Sequence, residues 1–217
     1  MRILCLSASN VVRAKESSAS TLVCKLIGEM VTAAAPEAQV EVAALVDLEP
    51  QFCMMCGDCA DSMTCPYDEH FNRVFAQVQE ADAVFIVCPH YAPVPAKLMV
   101  ILEKLEEMAY IKYCERKLNE FPLHGKLTGL VAHGGMYGDG VDEYYTKGLL
   151  NPLASALQSC GFKPVSPDGE SKGVVFGVKG HLPVAGSVFP AMDHDWGLIS
   201  ERVRPLVGQV LAKLQAE

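Results

Sequence analysis

Largely apolar runs, too short for buried helices, alternate along this chain with longer stretches of helical periodicity. That alternation restricts the fold more than any single motif, because strands buried on both faces of a parallel sheet read as continuous apolar runs. The strongest is Ala83-Val84-Phe85-Ile86-Val87-Cys88, stopped by Pro89; Ile3–Leu6, Val40–Val46, Leu127–Ala132 and Val174–Val178 read as further strands. Between them, Leu22, Leu26 and Met30 share a helix face with Val23, Ile27 and Val31, and Phe71, Val74, Phe75 and Val78 mark a helix over 69–79. Leu98, Ile101, Leu102 and Leu105 mark another, 143–159 a fourth ending at Gly161, and Val203 to Leu214 the last. Repeated strand–helix units of this kind predict a doubly wound α/β architecture: a five-stranded parallel sheet with helices on both faces.

Half of the 217 residues are hydrophobic, enough for a two-faced core, and no linker divides the chain. We therefore expect one domain over 1–217, with a cysteine-loop insertion at 50–67 and an irregular, proline- and glycine-rich excursion at 163–196. The polar-aromatic stretch 109–122 has no clear period. Net charge is −8 and the 18 lysines and arginines are dispersed, which argues against a nucleic-acid partner. No run approaches a membrane span. Only a short apolar run follows Met1-Arg2, so no secretory leader is expected and the setting is read as reducing and cytoplasmic.

Four of the nine cysteines, Cys53, Cys56, Cys59 and Cys65, fall within thirteen residues as C-x2-C-x2-C-x5-C. Packing gives no reason for such a cluster. Four thiolates in one loop suit a [4Fe–4S] cluster or a zinc ion. Disulfides are a poorer fit, since cysteines this close make weak staples. Zinc sites usually arrive as two pairs with a longer spacer, whereas three cysteines here run on continuously, as in cluster-binding loops.

In an open parallel sheet, ligands bind beyond the carboxyl ends of the strands. Three loops leave strands there with unusual composition. The first, Ser7 to Thr21, carries six hydroxyl residues with Arg13 and Lys15 and leads into a helix. Hydroxyls and helix N-terminal amides both donate to an anion, so this is a candidate phosphate cradle; an ordinary N-cap would explain Ser20 or Thr21 alone. It contains neither G-x-G-x-x-G nor a Walker lysine. The second, Cys88 to Pro95, holds three prolines that pre-set the backbone, with Tyr91 able to stack on a planar ring. The third, Gly134 to Gly140, has glycines that permit close approach to a flat heterocycle beside Tyr137. Singly, either of the last two reads equally as a tight turn; together they point to a phosphorylated planar cofactor.

These features resemble the flavodoxin-like NAD(P)H-dependent FMN reductases, most closely their iron–sulfur flavoprotein branch, over roughly residues 1–160. The residues carrying the resemblance are Ile3 to Ser9 with Ser20-Thr21, the cysteine motif, Ala81-Asp82-Ala83 through Pro89-His90-Tyr91, and His124-Gly125-Lys126 with Gly134-Gly135. The resemblance implies FMN, its phosphate at Ser9, Ser18, Ser20 and Thr21. Its ring would lie between Pro89, His90, Tyr91 and Ala92 on one side and Gly134, Gly135, Met136, Tyr137 and Gly138 on the other. It further implies NAD(P)H as co-substrate, a [4Fe–4S] cluster on Cys53, Cys56, Cys59 and Cys65, and a small-molecule acceptor or a redox protein such as ferredoxin. A homodimer or homotetramer is expected, with Leu98–Met108 and Lys163–Trp196 as contact surfaces. No catalytic acid or base is assigned; His90, His133 and Tyr137 lie nearest by loop position. The alternatives are a cluster-free NAD(P)H:FMN or quinone reductase, and a non-enzymatic flavin carrier with a structural metal.

Overall fold

The computed structural model describes residues 1–216. Five parallel strand positions lie in the order β2 (Gln39–Ala44), β1 (Arg2–Ser7), β3 (Ala83–Pro89), β4 (Leu127–His133) and an edge position that two short segments share. β5 (Lys163–Pro164) pairs with Leu127 and Thr128, and β6 (Val174–Phe176) pairs with Val131 to His133. This is the flavodoxin-like order, and the switch point falls between β1 and β3, whose following helices pack on opposite faces.

Alternation along the strands explains the continuous apolar runs. Leu4, Leu6, Val84, Ile86, Leu130 and Ala132 enter one core with α2 (Glu69–Glu80), α3 (Ala96–Cys114) and α5 (Asn151–Ser159). Ile3, Cys5, Phe85, Val87, Leu127 and Val131 enter the other with α1 (Ala19–Ala34) and α6 (Trp196–Ala216). Successive side chains point to opposite faces, so a strand covered on both must be apolar at every position.

Three elements depart locally from the expected pattern. The second strand ends at Ala44, and Leu45–Asp47 turns as a 3₁₀ helix instead of extending to Val46. The helix expected over 143–159 is α4 (Val141–Tyr145) joined to α5 by a π turn at Thr146–Leu150. Pro152 has no N–H to donate to the Gly148 carbonyl and its ring crowds it, which widens the turn before it. The expected strand Val174–Val178 is shortened to β6, and its first half-position is taken earlier, at β5, inside the stretch expected to be irregular. Between them the chain leaves the edge and returns at Gly173, where a Cβ would lie 2.3 Å from the Leu130 carbonyl oxygen.

Within 109–122, α3 runs on to Cys114, with Tyr110 and Tyr113 exposed and stacked on each other. Within 163–196, an antiparallel hairpin forms from β7 (Gly180–Leu182) and β8 (Ala191–Asp193). No helix of the described residues is long and apolar enough to cross a membrane. Gly161, at positive φ, ends α5 as expected, with Phe162 N–H donating to Leu157 O at 3.0 Å.

Candidate active site at the carboxyl edge of the sheet

β1, β3 and β4 are parallel and in register, Ser7 beside Val87 and Pro89 beside His133, so the three unusual loops leave the sheet at one edge. Backbone bonds tie them together there. Ala8 N–H donates to Val87 O at 2.9 Å and His90 N–H to His133 O at 2.7 Å.

In the first loop, residues Val12–Ser17 form a 3₁₀ turn and Ser18 is the N-cap of α1, accepting from Thr21 N–H at 3.3 Å. Ser7, Ser9, Ser18, Ser20 and Thr21 are all buried. Thr21 Oγ1 accepts from Ser18 Oγ at 2.9 Å and is bonded to Ser7 Oγ at 2.9 Å, while Ser20 Oγ meets His133 Nε2 at 2.8 Å. Ser9 Oγ accepts from Val11 N–H at 3.2 Å. Lys15 is committed to Asp47 in an ion pair, and Arg13 is exposed. The amides of Ala19 and Ser20, in the first turn of α1, have no intrahelical acceptor by geometry. Asn10 leaves a buried amide oxygen without a partner. A loop of buried hydroxyls and open helix amides fits a phosphate supplied from outside the chain.

The second and third loops meet through aromatic rings. His90 packs against Tyr144 and Tyr145 with centroids 5.2 and 5.7 Å apart. Tyr91 is half-exposed; burial raises its phenol pKa against a hydrogen bond to Ser9 that lowers it. Ala92 carries a positive φ ahead of a cis Pro93. Tyr145 is buried beneath Gly134, and its hydroxyl accepts from Met136 N–H at 2.9 Å. A Cβ at Gly134 would fall 2.3 Å from that hydroxyl, so only glycine lets the two approach. His181 Nε2 lies 2.7 Å from Gly135 O, and Val178 N–H donates to Met136 O at 2.9 Å. Met136 and Tyr137 are exposed above this clamped backbone. Sequence reasoning missed Tyr144, Tyr145 and His181, since nothing in their local pattern distinguishes them from ordinary helix or loop residues.

A model of the family described as NADPH-dependent FMN reductase matches residues 1–159. The chain belongs to that family. Membership makes it an NAD(P)H-dependent flavin oxidoreductase with FMN as cofactor. Among solved structures, RosB with a bound formylriboflavin-phosphate intermediate is 16% identical at a TM-score of 0.61, covering 100% of this chain and 79% of that one. The NADH:FMN oxidoreductase EMOB is 17% identical at 0.57, covering 100% and 91%. FerB from Paracoccus denitrificans, an NAD(P)H:acceptor oxidoreductase, is 14% identical at 0.55, covering 97% of each chain. Likenesses at these identities establish the shared fold. No protein of curated function matches the chain.

The cysteine motif lies elsewhere. It follows β2 on the α2–α3 face, and Cys53, Cys56, Cys59 and Cys65 line one cavity of about 240 Å³ with Phe52, Tyr67, Lys104 and Met108. Lys104 is eight residues into α3, about 12 Å along the helix from its N-terminus, and none of the residues lining the cavity belongs to the three loops. Among the described residues, no three histidine, cysteine or acidic side chains converge closely enough to hold a metal ion. Lys104 Nζ reaches Cys65 Sγ at 3.3 Å and Asp68 Oδ2 at 3.1 Å, with both ion-pair side chains buried. Burial lowers the Lys104 pKa, but Asp68 and Cys65 outweigh it and the net shift is upward. Burial raises the Cys59 pKa. The one visible hint of Lys104 was its place between Ile101 and Met108 on the buried stripe of α3. Of the other cysteines, Cys5, Cys24, Cys88 and Cys160 are core residues, their thiols pushed up by burial (Cys5 and Cys160 to about 12), and Cys114 is exposed.

Proposed function

We propose that FMN binds at the three-loop edge, its phosphate in the Ser9, Ser18, Ser20 and Thr21 loop and its ring between Pro89–Ala92 and Gly134–Gly138. NAD(P)H would reduce it there, and a small-molecule acceptor would take the electrons. The observation that carries this reading is the convergence of the buried hydroxyl cluster with two clamped loops at one sheet edge. Bound FMN would supply hydride acceptance and one- or two-electron release; the protein would orient it and limit water around it. The open first-turn amides of α1, next to the Ser18 cap, would receive the phosphate. The Tyr145 hydroxyl, by holding Met136 N–H, would keep the third loop's backbone fixed against the ring. The test is flavin extraction followed by NADH and NADPH oxidation with quinone and ferricyanide acceptors. Purified protein without FMN, and unable to take it up, would sink the assignment. Bound FMN with turnover too slow in every donor–acceptor pair would move it to the electron-carrier alternative.

A second reading has its own observation. Four soft thiols lining one cavity beside a buried lysine favour a [4Fe–4S] cluster at Cys53, Cys56, Cys59 and Cys65, relaying electrons to a ferredoxin-type partner. Their sulfurs would have to draw together from the positions seen here. Anaerobic purification with iron and acid-labile sulfide assays decides it: about four of each per chain supports the cluster, and neither leaves a cluster-free reductase. Nine unpaired cysteines suit a reducing, cytoplasmic setting. The exposed Val188 and Phe189 at the hairpin tip suit the expected homo-oligomer, which light scattering on the purified protein would test.

A further inference from the structure

We infer that His133 is a positioning residue for the phosphate subsite: its Nε2–H donates to Ser20 Oγ and thereby turns the Ser20 hydroxyl proton outward, as a donor to the cofactor phosphate. The inference rests on the FMN reading above and adds to it a residue acting from across the sheet.

His133 ends β4 on the face otherwise made of Leu127 and Val131, so it is the polar residue at the top of an apolar strand face. Its ring lies flat against Phe176 of β6, with centroids 4.9 Å apart and planes 5° from parallel. That stacking fixes the ring plane, and the 2.8 Å contact to Ser20 Oγ fixes its rotation. Burial, with a smaller contribution from His194, pushes its pKa down to about 3, so at neutral pH the imidazole is uncharged and carries one proton. It therefore acts as an oriented dipole and not as a cation facing the phosphate.

The choice between tautomers decides what Ser20 offers. A serine hydroxyl has one proton and two lone pairs. If Nε2 is bare, Ser20 gives its proton to the ring and presents only lone pairs, which repel an anion. If Nε2 carries the proton, Ser20 accepts from the ring and its own proton is free for the phosphate. An anion selects the second state. Thr21 differs, because its oxygen already takes Ser18 as donor and Ser7 as a further partner within the loop. Ser20 is the hydroxyl in this group whose partner comes from another strand, and it occupies the second position of α1, beside the open amides.

The experiment measures Kd for FMN and for riboflavin, by flavin fluorescence quenching, on the full chain stripped of flavin; the ratio isolates the phosphate. His133→Leu and Ser20→Ala are each expected to shrink the ratio by about tenfold or more, the loss of one hydrogen bond to a charged group. The double variant should lose no more than either single one, because the two residues act as one unit. His133→Gln, which keeps an N–H donor, should retain most of the ratio. A wild-type ratio in His133→Leu, or additive losses in the double variant, would overturn the inference. If His133→Leu does not fold, a wild-type ratio in Ser20→Ala overturns it equally. Wild-type protein that binds both flavins alike would overturn the phosphate reading itself.

Discussion

The sheet edge and the cysteine loop hold their reactive side chains by opposite means. At the edge, strand order and register bring three loops together, and each is bonded to the next: Ala8 to Val87, His90 to His133, Ser20 to His133, Met136 to Tyr145. The cysteine loop has no helix or strand between Leu48 and Glu69, and its position depends on side chains outside the motif. Asp68 accepts from Gln51 N–H at 2.7 Å, caps α2 through Phe71 N–H at 2.9 Å and pairs with buried Lys104. Asn72 grips both backbone polar groups of Cys65, at 2.9 and 2.7 Å, and Lys97 bonds the Val46 and Leu48 carbonyls ahead of the loop. A ladder distributes its hold over many backbone bonds, whereas a pinned loop concentrates it in a few buried charges. Single substitutions should therefore damage the second region more than the first.

Asp68→Ala should have the largest effect, because it strands a buried lysine, opens the loop and removes a helix cap together. A loss of about 3–5 kcal/mol is expected from the broken buried pair, read from urea unfolding. A loss below 1 kcal/mol would show that the loop is not pinned by this pair. Asp68→Asn combined with Lys104→Met should cost less than Asp68→Ala, since no unpaired charge stays buried.

At the edge, acid is the sharper probe. His133 is held neutral by burial down to about pH 3, whereas in the unfolded chain it takes up a proton at the ordinary histidine pKa. Between those limits the unfolded state binds the extra proton, so stability falls as the pH is lowered. The slope is about 1.4 kcal/mol per pH unit, or roughly 2–3 kcal/mol between pH 6.5 and 4.5. His133→Asn should lack this component when urea midpoints are compared at the two pH values; parallel acid losses in both proteins would refute it.

Tyr145→Phe should cost about 1–2 kcal/mol, because Met136 N–H loses its acceptor. It should also weaken FMN binding several-fold by loosening the third loop. Unchanged flavin affinity would mean that this loop does not hold the ring. Smallest of all, Lys15→Ala should change stability by less than about 1 kcal/mol, since its pair with Asp47 is exposed. Flavin affinity should be unaffected, because Lys15 points its charge at Asp47; a marked drop would return Lys15 to the phosphate site.

Much of the edge was legible because periodicity reports burial. The Ala83–Cys88 run, the α1 stripe and the composition of the three loops place the candidate residues before any coordinates are known. What remained hidden depends on partners distant in sequence. Ser20 and His133 are 113 positions apart, and no local pattern marks one as the other's partner. Tyr145 looks like any apolar-face aromatic until Gly134 passes over its hydroxyl. The split edge position was hidden too: Lys163-Pro164 is too short to show a period, and its pairing is set by β4.

The sequence by itself determined the doubly wound architecture, the carboxyl-edge location of the loops and the clustering of four cysteines along the chain. Each of these follows from local spacing, which fixes how side chains alternate between faces. Only the tertiary structure decided that Lys15 belongs to Asp47, that Lys104 lies buried against Cys65, and that the cysteines line a cavity apart from the three loops. Those outcomes rest on which groups meet when burial removes water, and that is a property of the packed chain.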